Sequence, residues 1–185
     1  MEHKIILSEN EIQDICKDIG SKLTERLKEE KKPPLFLGVM KGALPFYCDL
    51  IKHVKITMVT DFIRLSSYDK TNSTGKVQIK NEFSTDVTDR TIVIVEDVVD
   101  TGLSMKFLID YIKNNYKPKQ IILVALFNKT FARKNDIKVD YVGKELTGSD
   151  FLMGYGLDYS EFDRNVPYVY AANPEDVKYW DSLSK

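Results

Sequence analysis

Cysteine and histidine are scarce in this sequence. Two thiols, Cys16 and Cys48, and two imidazoles, His3 and His53, make up the whole stock. The thiols stand far apart among apolar neighbours, so a disulfide framework is excluded, and both are expected to be buried and free in a reducing cytoplasm. Four such residues at these spacings make no His/Cys zinc cage. Long apolar runs are missing too: none approaches the roughly 20 residues that cross a bilayer. Ile5-Ile6-Leu7 is too short for the apolar part of a signal peptide, and polar Ser8-Glu9-Asn10-Glu11 follows at once. No charge of one sign dominates, because 27 Lys and Arg meet 28 Asp and Glu for a formal net charge of -1. That balance speaks against a general polyanion binder. The expectation is a cytoplasmic protein with no membrane and no nucleic-acid partner.

The chain has 185 residues, 43% of them hydrophobic and 30% charged, which suits one globular domain over residues 1–185. No internal repeat, low-complexity tract or linker interrupts it. Ser8 with Glu11 three residues on reads as a capping box. Behind it Ile12, Ile15, Cys16, Ile19, Leu23 and Leu27 form one apolar helix face. Pro33-Pro34 bars the helix from running further. Residues 35–40 read as a buried strand, 44–51 as a helix and 54–65 as a long strand. Residues 66–76, SSYDKTNSTGK, are nearly devoid of apolar side chains, and a loop of that length inside a domain is usually either a functional lid or disordered. Thr91-Ile92-Val93-Ile94-Val95 is β-branched throughout without alternation, as in a central strand covered on both faces. A helix over 103–116 follows, with Phe107, Leu108, Tyr111 and Ile112 on one face, and then a buried strand over 121–127. This β-α-β order implies a parallel sheet with a right-handed crossover. Short strands are expected near 141–142, 151–153 and 168–170.

The chemistry concentrates in Glu96-Asp97-Val98-Val99-Asp100-Thr101-Gly102-Leu103-Ser104. This run lies where a central parallel strand gives way to a helix, the end of an open α/β sheet at which ligands bind. Gly102 admits a positive φ. Residues Thr101, Gly102, Leu103 and Ser104 then offer backbone N–H groups and two hydroxyls at a helix N-terminus, an anion site. Carboxylates beside an anion site make sense for a phosphorylated sugar. The phosphate takes the N–H groups, while Glu96 and Asp97 accept from ribose hydroxyls or face a Mg²⁺ ion held by the ligand. No Walker sequence is present. Val98-Val99-Asp100-Thr101-Gly102 also matches the pattern of aspartic proteases, but those are all-β, and here an amphipathic helix follows at once.

The run resembles the phosphoribosyl pyrophosphate motif of type I phosphoribosyltransferases. The likeness extends from about Ile5 to about Glu175 and is to the hypoxanthine-guanine members in particular. It includes Gly38-Val39-Met40-Lys41-Gly42, Asp61-Phe62-Ile63-Arg64-Leu65-Ser66-Ser67-Tyr68, the central motif, and Gly154-Tyr155-Gly156-Leu157-Asp158-Tyr159. The resemblance implies the type I phosphoribosyltransferase fold, an α/β core with a mainly parallel sheet flanked by helices and a small hood from the N- and C-terminal segments. It implies transfer of a ribose 5-phosphate group from phosphoribosyl pyrophosphate to N9 of a 6-oxopurine in purine salvage. It also implies Mg²⁺ as cofactor and a homodimer or homotetramer as assembly.

Carried over residue by residue, the resemblance gives Asp100 to Ser104 to the 5′-phosphate and Glu96 and Asp97 to the ribose hydroxyls and metal. Asp100, near N7 of the purine, is the candidate general base. Lys41 and Gly42 resemble the pyrophosphate loop, in which the peptide before the lysine can be cis. Arg164 matches the arginine that reaches the pyrophosphate from the far side. Lys129 matches the lysine that donates to the 6-oxo group; an ammonium offers donors only. Phe151 matches the ring that stacks on the purine, and Leu152 the residue whose carbonyl reads the base edge. Asp158 matches a carboxylate facing a second Mg²⁺ through water. Ser67 and Tyr68 match lid residues. Departures cluster near the base pocket: Leu146-Thr147-Gly148-Ser149-Asp150 is one residue longer than usual, and Lys144 replaces a common aromatic. A non-catalytic regulator built on the same fold is the alternative, and the missing basic excess speaks against it.

Overall fold

The computed structural model describes residues 3–67 and 77–183. Most of the expected lid, Tyr68 included, lies outside the described residues. Strand β1 (Lys4–Leu7) leads into helix α1 (Glu9–Leu27). Ser8 starts that helix as expected: its Oγ accepts from the Glu11 N–H at 3.3 Å, and Glu11 Oε2 accepts from the Ser8 N–H at 2.8 Å. Next come β2 (Leu35–Met40), α2 (Leu44–Lys52), β3 (Val59–Ser67), β4 (Val77–Asn81), β5 (Thr91–Val99), α3 (Leu103–Asn115) and β6 (Gln120–Asn128). A short 3-10 turn over Thr130–Ala132 precedes β7 (Tyr141–Glu145), β8 (Leu152–Met153), β9 (Val169–Ala171) and α4 (Pro174–Leu183).

Six strands form the main sheet in the order β4-β3-β2-β5-β6-β7, parallel but for β4, which runs antiparallel to β3. β5 sits between β2 and β6, and its two-residue alternation feeds two cores. Val93 and Val95 face α1 and α2 with Val124 and Leu126, whereas Ile92 and Ile94 face α3 with Leu123 and Ala125. Burial on both faces is why this strand is apolar without alternation. All five parallel strands point their carboxyl ends the same way, and the loops there carry the chemistry. A second sheet, β1-β9-β8, is antiparallel and joins the two ends of the chain. Helix α4 closes it, burying Trp180 against Met153 and Tyr170. His3 stacks on Tyr170 at 4.2 Å and hydrogen-bonds Asp176 at 3.0 Å.

The structure corrects four expectations. The strand read over 54–65 begins only at Val59, because β2, its parallel partner, begins at Leu35 and pairs there with Val59. Val54 instead folds back, its N–H donating to Ile51 O. The central strand does not stop at Val95 but continues to Val99, so Glu96 and Asp97 are strand residues backed by β6. On α3 the buried stripe is Met105, Leu108 and Ile112, while Phe107 and Tyr111 turn to a cleft beside β4. Cys16 is buried, but Cys48 is exposed on α2.

Candidate active site

Four segments meet at the carboxyl ends of β2, β5 and β6. The first is the turn from β5 to α3. Gly102 caps the helix with φ 81°, a conformation open to glycine and costly for other residues. Residues Glu96 to Met105 line a cavity of about 250 Å³ there. Arg133 braces the turn from beneath: its Nε donates to Asp100 O at 3.2 Å, and its Nη2 donates to the buried Asn128. Thr101 O accepts from the Lys134 and Asn135 N–H groups at 3.0 and 3.1 Å.

The second segment follows β2. The Met40–Lys41 peptide is cis, the geometry that the resemblance allowed for. Gly42 lies against Asp97 so closely that a Cβ there would stand 1.7 Å from Asp97 Oδ2. The third segment, residues 154–164, docks on the second: a Cβ on Gly156 would stand 2.0 Å from Gly42 O. Arg164 is held at every nitrogen. Nη1 donates to Gly156 O at 2.6 Å, Nη2 meets Asp158 Oδ1 at 2.8 Å, and Nε meets Glu161 Oε2 at 3.1 Å. Lys41 Nζ reaches the same Glu161 oxygen at 2.9 Å. Both cations hold the Glu161 carboxyl below its usual range, Lys41 first and Arg164 next.

A cavity of about 490 Å³ brings together Gly42, Ser66, Glu96, Asp97, Ser104, Asp158 and Arg164. Its charges are unbalanced at the strand end. Burial, and then the neighbouring Asp97 charge, raise the Glu96 carboxyl well above its usual range. Ser66 Oγ is buried with no hydrogen-bond partner among the described residues. Two adjoining carboxylates and an orphan hydroxyl fit a ligand that brings a cation and hydrogen-bonding groups. No cluster of three or more His, Cys, Asp or Glu able to hold a metal occurs among the described residues. Two carboxylates are too few for an all-protein cation cage but suffice for a hard divalent cation that a bound phosphorylated ligand also holds.

The fourth segment follows β6. Lys129 Nζ lies 3.5 Å from Asp100 Oδ2, and the Lys129 N–H donates to Val99 O at 2.9 Å. Phe151 and Leu152 belong to the hood, and Leu152 packs into the main core with Val124, Leu126 and Phe127. Phe151 is half exposed and meets Tyr159 edge-on at 5.9 Å. Leu152 is buried in β8 opposite Ala171.

Residues 6–160 match the phosphoribosyl transferase domain family. Over 172 residues the chain is 43% identical to the hypoxanthine-guanine phosphoribosyltransferase of Bacillus subtilis, covering 92% of this chain and 93% of that one. The chain belongs to the hypoxanthine-guanine phosphoribosyltransferase family. The protein of that name from Staphylococcus aureus is 37% identical, with 93% of this chain and 94% of that one covered. A crystal structure of a hypoxanthine phosphoribosyltransferase from S. aureus superposes with a TM-score of 0.86 at 37% identity, covering 93% of this chain and 92% of that one. The observed fold is thus the expected type I phosphoribosyltransferase fold, and membership makes the protein a transferase of purine salvage. No helix among the described residues is long and apolar enough to cross a membrane.

The structure gathers Gly42, Glu96, Asp97, Ser104, Asp158 and Arg164 into one cavity and sets Lys129 beside Asp100. Phe151 and Leu152 line neither of the two cavities described. Sequence pattern gave no sign of Glu161 or Arg133, and it marked Ser66 only as one residue of a longer motif and of the expected lid, with no role of its own. Glu161 looks like a turn glutamate, and only its distance to Lys41, 120 positions away, marks it.

Proposed function

We propose that this protein transfers the 5-phosphoribosyl group of phosphoribosyl pyrophosphate to N9 of hypoxanthine or guanine, forming IMP or GMP and releasing pyrophosphate. The observation that carries this reading is the Lys129–Asp100 pair at 3.5 Å beside the α3 N-terminus. A 6-oxopurine presents O6 and N7 side by side on one edge. Lys129 donates to O6, and Asp100 accepts the N7 proton as the C1′–N9 bond forms and the bond from C1′ to the pyrophosphate oxygen breaks.

The N–H groups of residues 101–104 and the hydroxyls of Thr101 and Ser104 hold the 5′-phosphate, helped by the helix dipole. Glu96 and Asp97 accept from the ribose hydroxyls. The transition state has oxocarbenium character, so nearby carboxylates favour it electrostatically. Lys41, Gly42 and Arg164 take the diphosphate. Glu96 and Asp97 would hold one Mg²⁺ and Asp158 would face a second through water; the chemistry the metal would supply is to neutralise the diphosphate charge. Phe151 stacks on the purine, and the Leu152 carbonyl reads its edge. Ser67 and Tyr68 belong to the cover that keeps water from the cationic sugar. The protein works in the cytoplasm, as its two unpaired cysteines suggest, and as a homodimer or homotetramer.

A spectrophotometric panel of hypoxanthine, guanine, xanthine and adenine, with phosphoribosyl pyrophosphate and Mg²⁺, tests this reading. Turnover of hypoxanthine or guanine that needs Mg²⁺ supports it; no turnover of any 6-oxopurine refutes it.

A further inference from the structure

Lys41 and Arg164 come from different loops, yet one carboxylate oxygen engages both. Glu161 Oε2 lies 2.9 Å from Lys41 Nζ and 3.1 Å from Arg164 Nε. A carboxylate accepts charge-assisted hydrogen bonds from the same donors that serve a phosphate oxygen. The loop is shaped to keep it there. Ser160, Glu161 and Asp163 all have positive φ, at 51°, 74° and 64°, a region where non-glycine residues are uncommon. The Glu161 N–H donates to Asp158 Oδ2 at 2.8 Å, and Asp158 in turn pairs with Arg164. A position that glycine would fill without strain thus carries an acid aimed at two cations. The cavity that Arg164 and Asp158 line opens beside it.

We propose that Glu161 is an internal counter-ion of the diphosphate subsite. Its carboxylate holds Lys41 and Arg164 in the free enzyme, gives way to the diphosphate of the incoming substrate, and returns to compete with pyrophosphate as that product leaves. The proposal rests on the assignment of Lys41 and Arg164 to the diphosphate under the proposed function. Glu161 competes with every diphosphate ligand, so removing its charge tightens their binding. Both ion pairs are partly exposed, with Glu161 60% and Lys41 44% accessible. Exposed pairs are weak, so the expected gain is about three- to tenfold.

The test is calorimetric titration of magnesium pyrophosphate into the full-length protein and its variants. Glu161→Gln removes the charge and keeps the size; Glu161→Gly also relaxes the positive φ. Both should bind pyrophosphate about three- to tenfold tighter than the parent at low salt, with the gap narrowing at high salt. The pyrophosphate inhibition constant in the forward reaction should fall by the same factor while the purine KM holds. Unchanged or weaker pyrophosphate binding in both variants overturns the counter-ion role. Lys41→Ala separates this failure from a failure of the site assignment. If Lys41→Ala binds pyrophosphate as the parent does, Lys41 is not a diphosphate ligand and the assignment itself falls. If it binds weakly while Glu161→Gln is unchanged, only the counter-ion idea is lost. In the double variant Lys41→Ala with Glu161→Gln, the gain from losing Glu161 should shrink, since one of its two partners is gone.

Discussion

Lys129 Nζ stands 3.5 Å from Asp100 Oδ2, and backbone contacts fix both. The Lys129 N–H donates to Val99 O, and the Asp100 carbonyl accepts from Arg133. Adenine places an amino donor where Lys129 offers only donors, so the base supplies no acceptor and two donors are forced together. Sites built around such a hydrogen bond discriminate by about 10⁴-fold or more. Adenine should therefore show a kcat/KM lower than that of hypoxanthine by several orders of magnitude. Lys129→Met should cost hypoxanthine far more activity than it costs adenine. Equal turnover of the two bases in the parent enzyme would remove Lys129 from base selection.

Gly42 and Gly148 form a paired test of how tightly the site is built. A Cβ at Gly42 would collide with Asp97 Oδ2, whereas a Cβ at Gly148 meets nothing within 4 Å. Gly42→Ala must push the Asp97 carboxylate or the loop aside, a displacement of the kind that costs about 1–3 kcal/mol. Phosphoribosyl pyrophosphate affinity should drop roughly tenfold or more, while circular dichroism shows a folded protein. Gly148→Ala should leave affinity unchanged. Equal affinities in both variants would show that the contact between Gly42 and Asp97 has no bearing on the ligand.

The core strands were legible because burial on both faces leaves a compositional mark. Residues 35–40 and 91–95 are apolar without alternation, and both are strands. The Ser8–Glu11 capping box was readable because it is a local hydrogen-bond pattern. Three elements were not anticipated. β1 is a short edge strand whose partner, Val169–Ala171, lies at the other end of the chain. β4 pairs with the neighbouring Arg64–Ser67, but its five residues include Gln78, Lys80 and Asn81 and carry little apolar pattern. α4 has a local start signal that the sequence reading passed over: Pro174 opens the helix, and Asn173 Oδ1 accepts from the Glu175 and Asp176 N–H groups at 2.8 and 3.0 Å. The packing of Trp180 against the hood that holds it is a tertiary contact. The site shows the same division. The β5–α3 turn is contiguous and could be read, whereas Glu161 gains its meaning only from Lys41, which folding alone brings near.

The two thiols should differ in reactivity. Burial raises the Cys16 thiol to about 12, and the charge of Asp49 adds to the shift. At neutral pH almost no reactive thiolate exists there. Cys48 is exposed on α2. A thiol-specific reagent under native conditions should label one cysteine per chain quickly, and peptide mapping should place the label on Cys48. Cys16 should react only on unfolding. Rapid labelling of both would mean that α1 opens far more readily than its fully buried stripe suggests.

Glu96 sets stability against function. It is buried, and burial together with the adjoining Asp97 charge raises its carboxyl well above the ordinary range. The folded protein therefore retains a proton that the unfolded chain releases. Where that difference exists, stability falls as pH rises, from the unfolded pKa near 4.3 up towards the raised folded value. Glu96→Gln removes the titrating group and with it this loss. The variant should have a higher Tm than the parent at neutral pH, and the gap should close as pH drops towards 4. The same variant should lose most of its transferase activity, because a carboxamide carries no charge for the ribose hydroxyls or for Mg²⁺. Such a trade of stability for activity is expected where a site holds charges for a ligand that is absent from the free protein. Adding phosphoribosyl pyrophosphate with Mg²⁺ should raise the parent Tm more than that of the variant, since stabilisation by a ligand grows with the logarithm of its affinity. A variant Tm that tracks the parent at every pH would show that Glu96 carries no strain in the free enzyme.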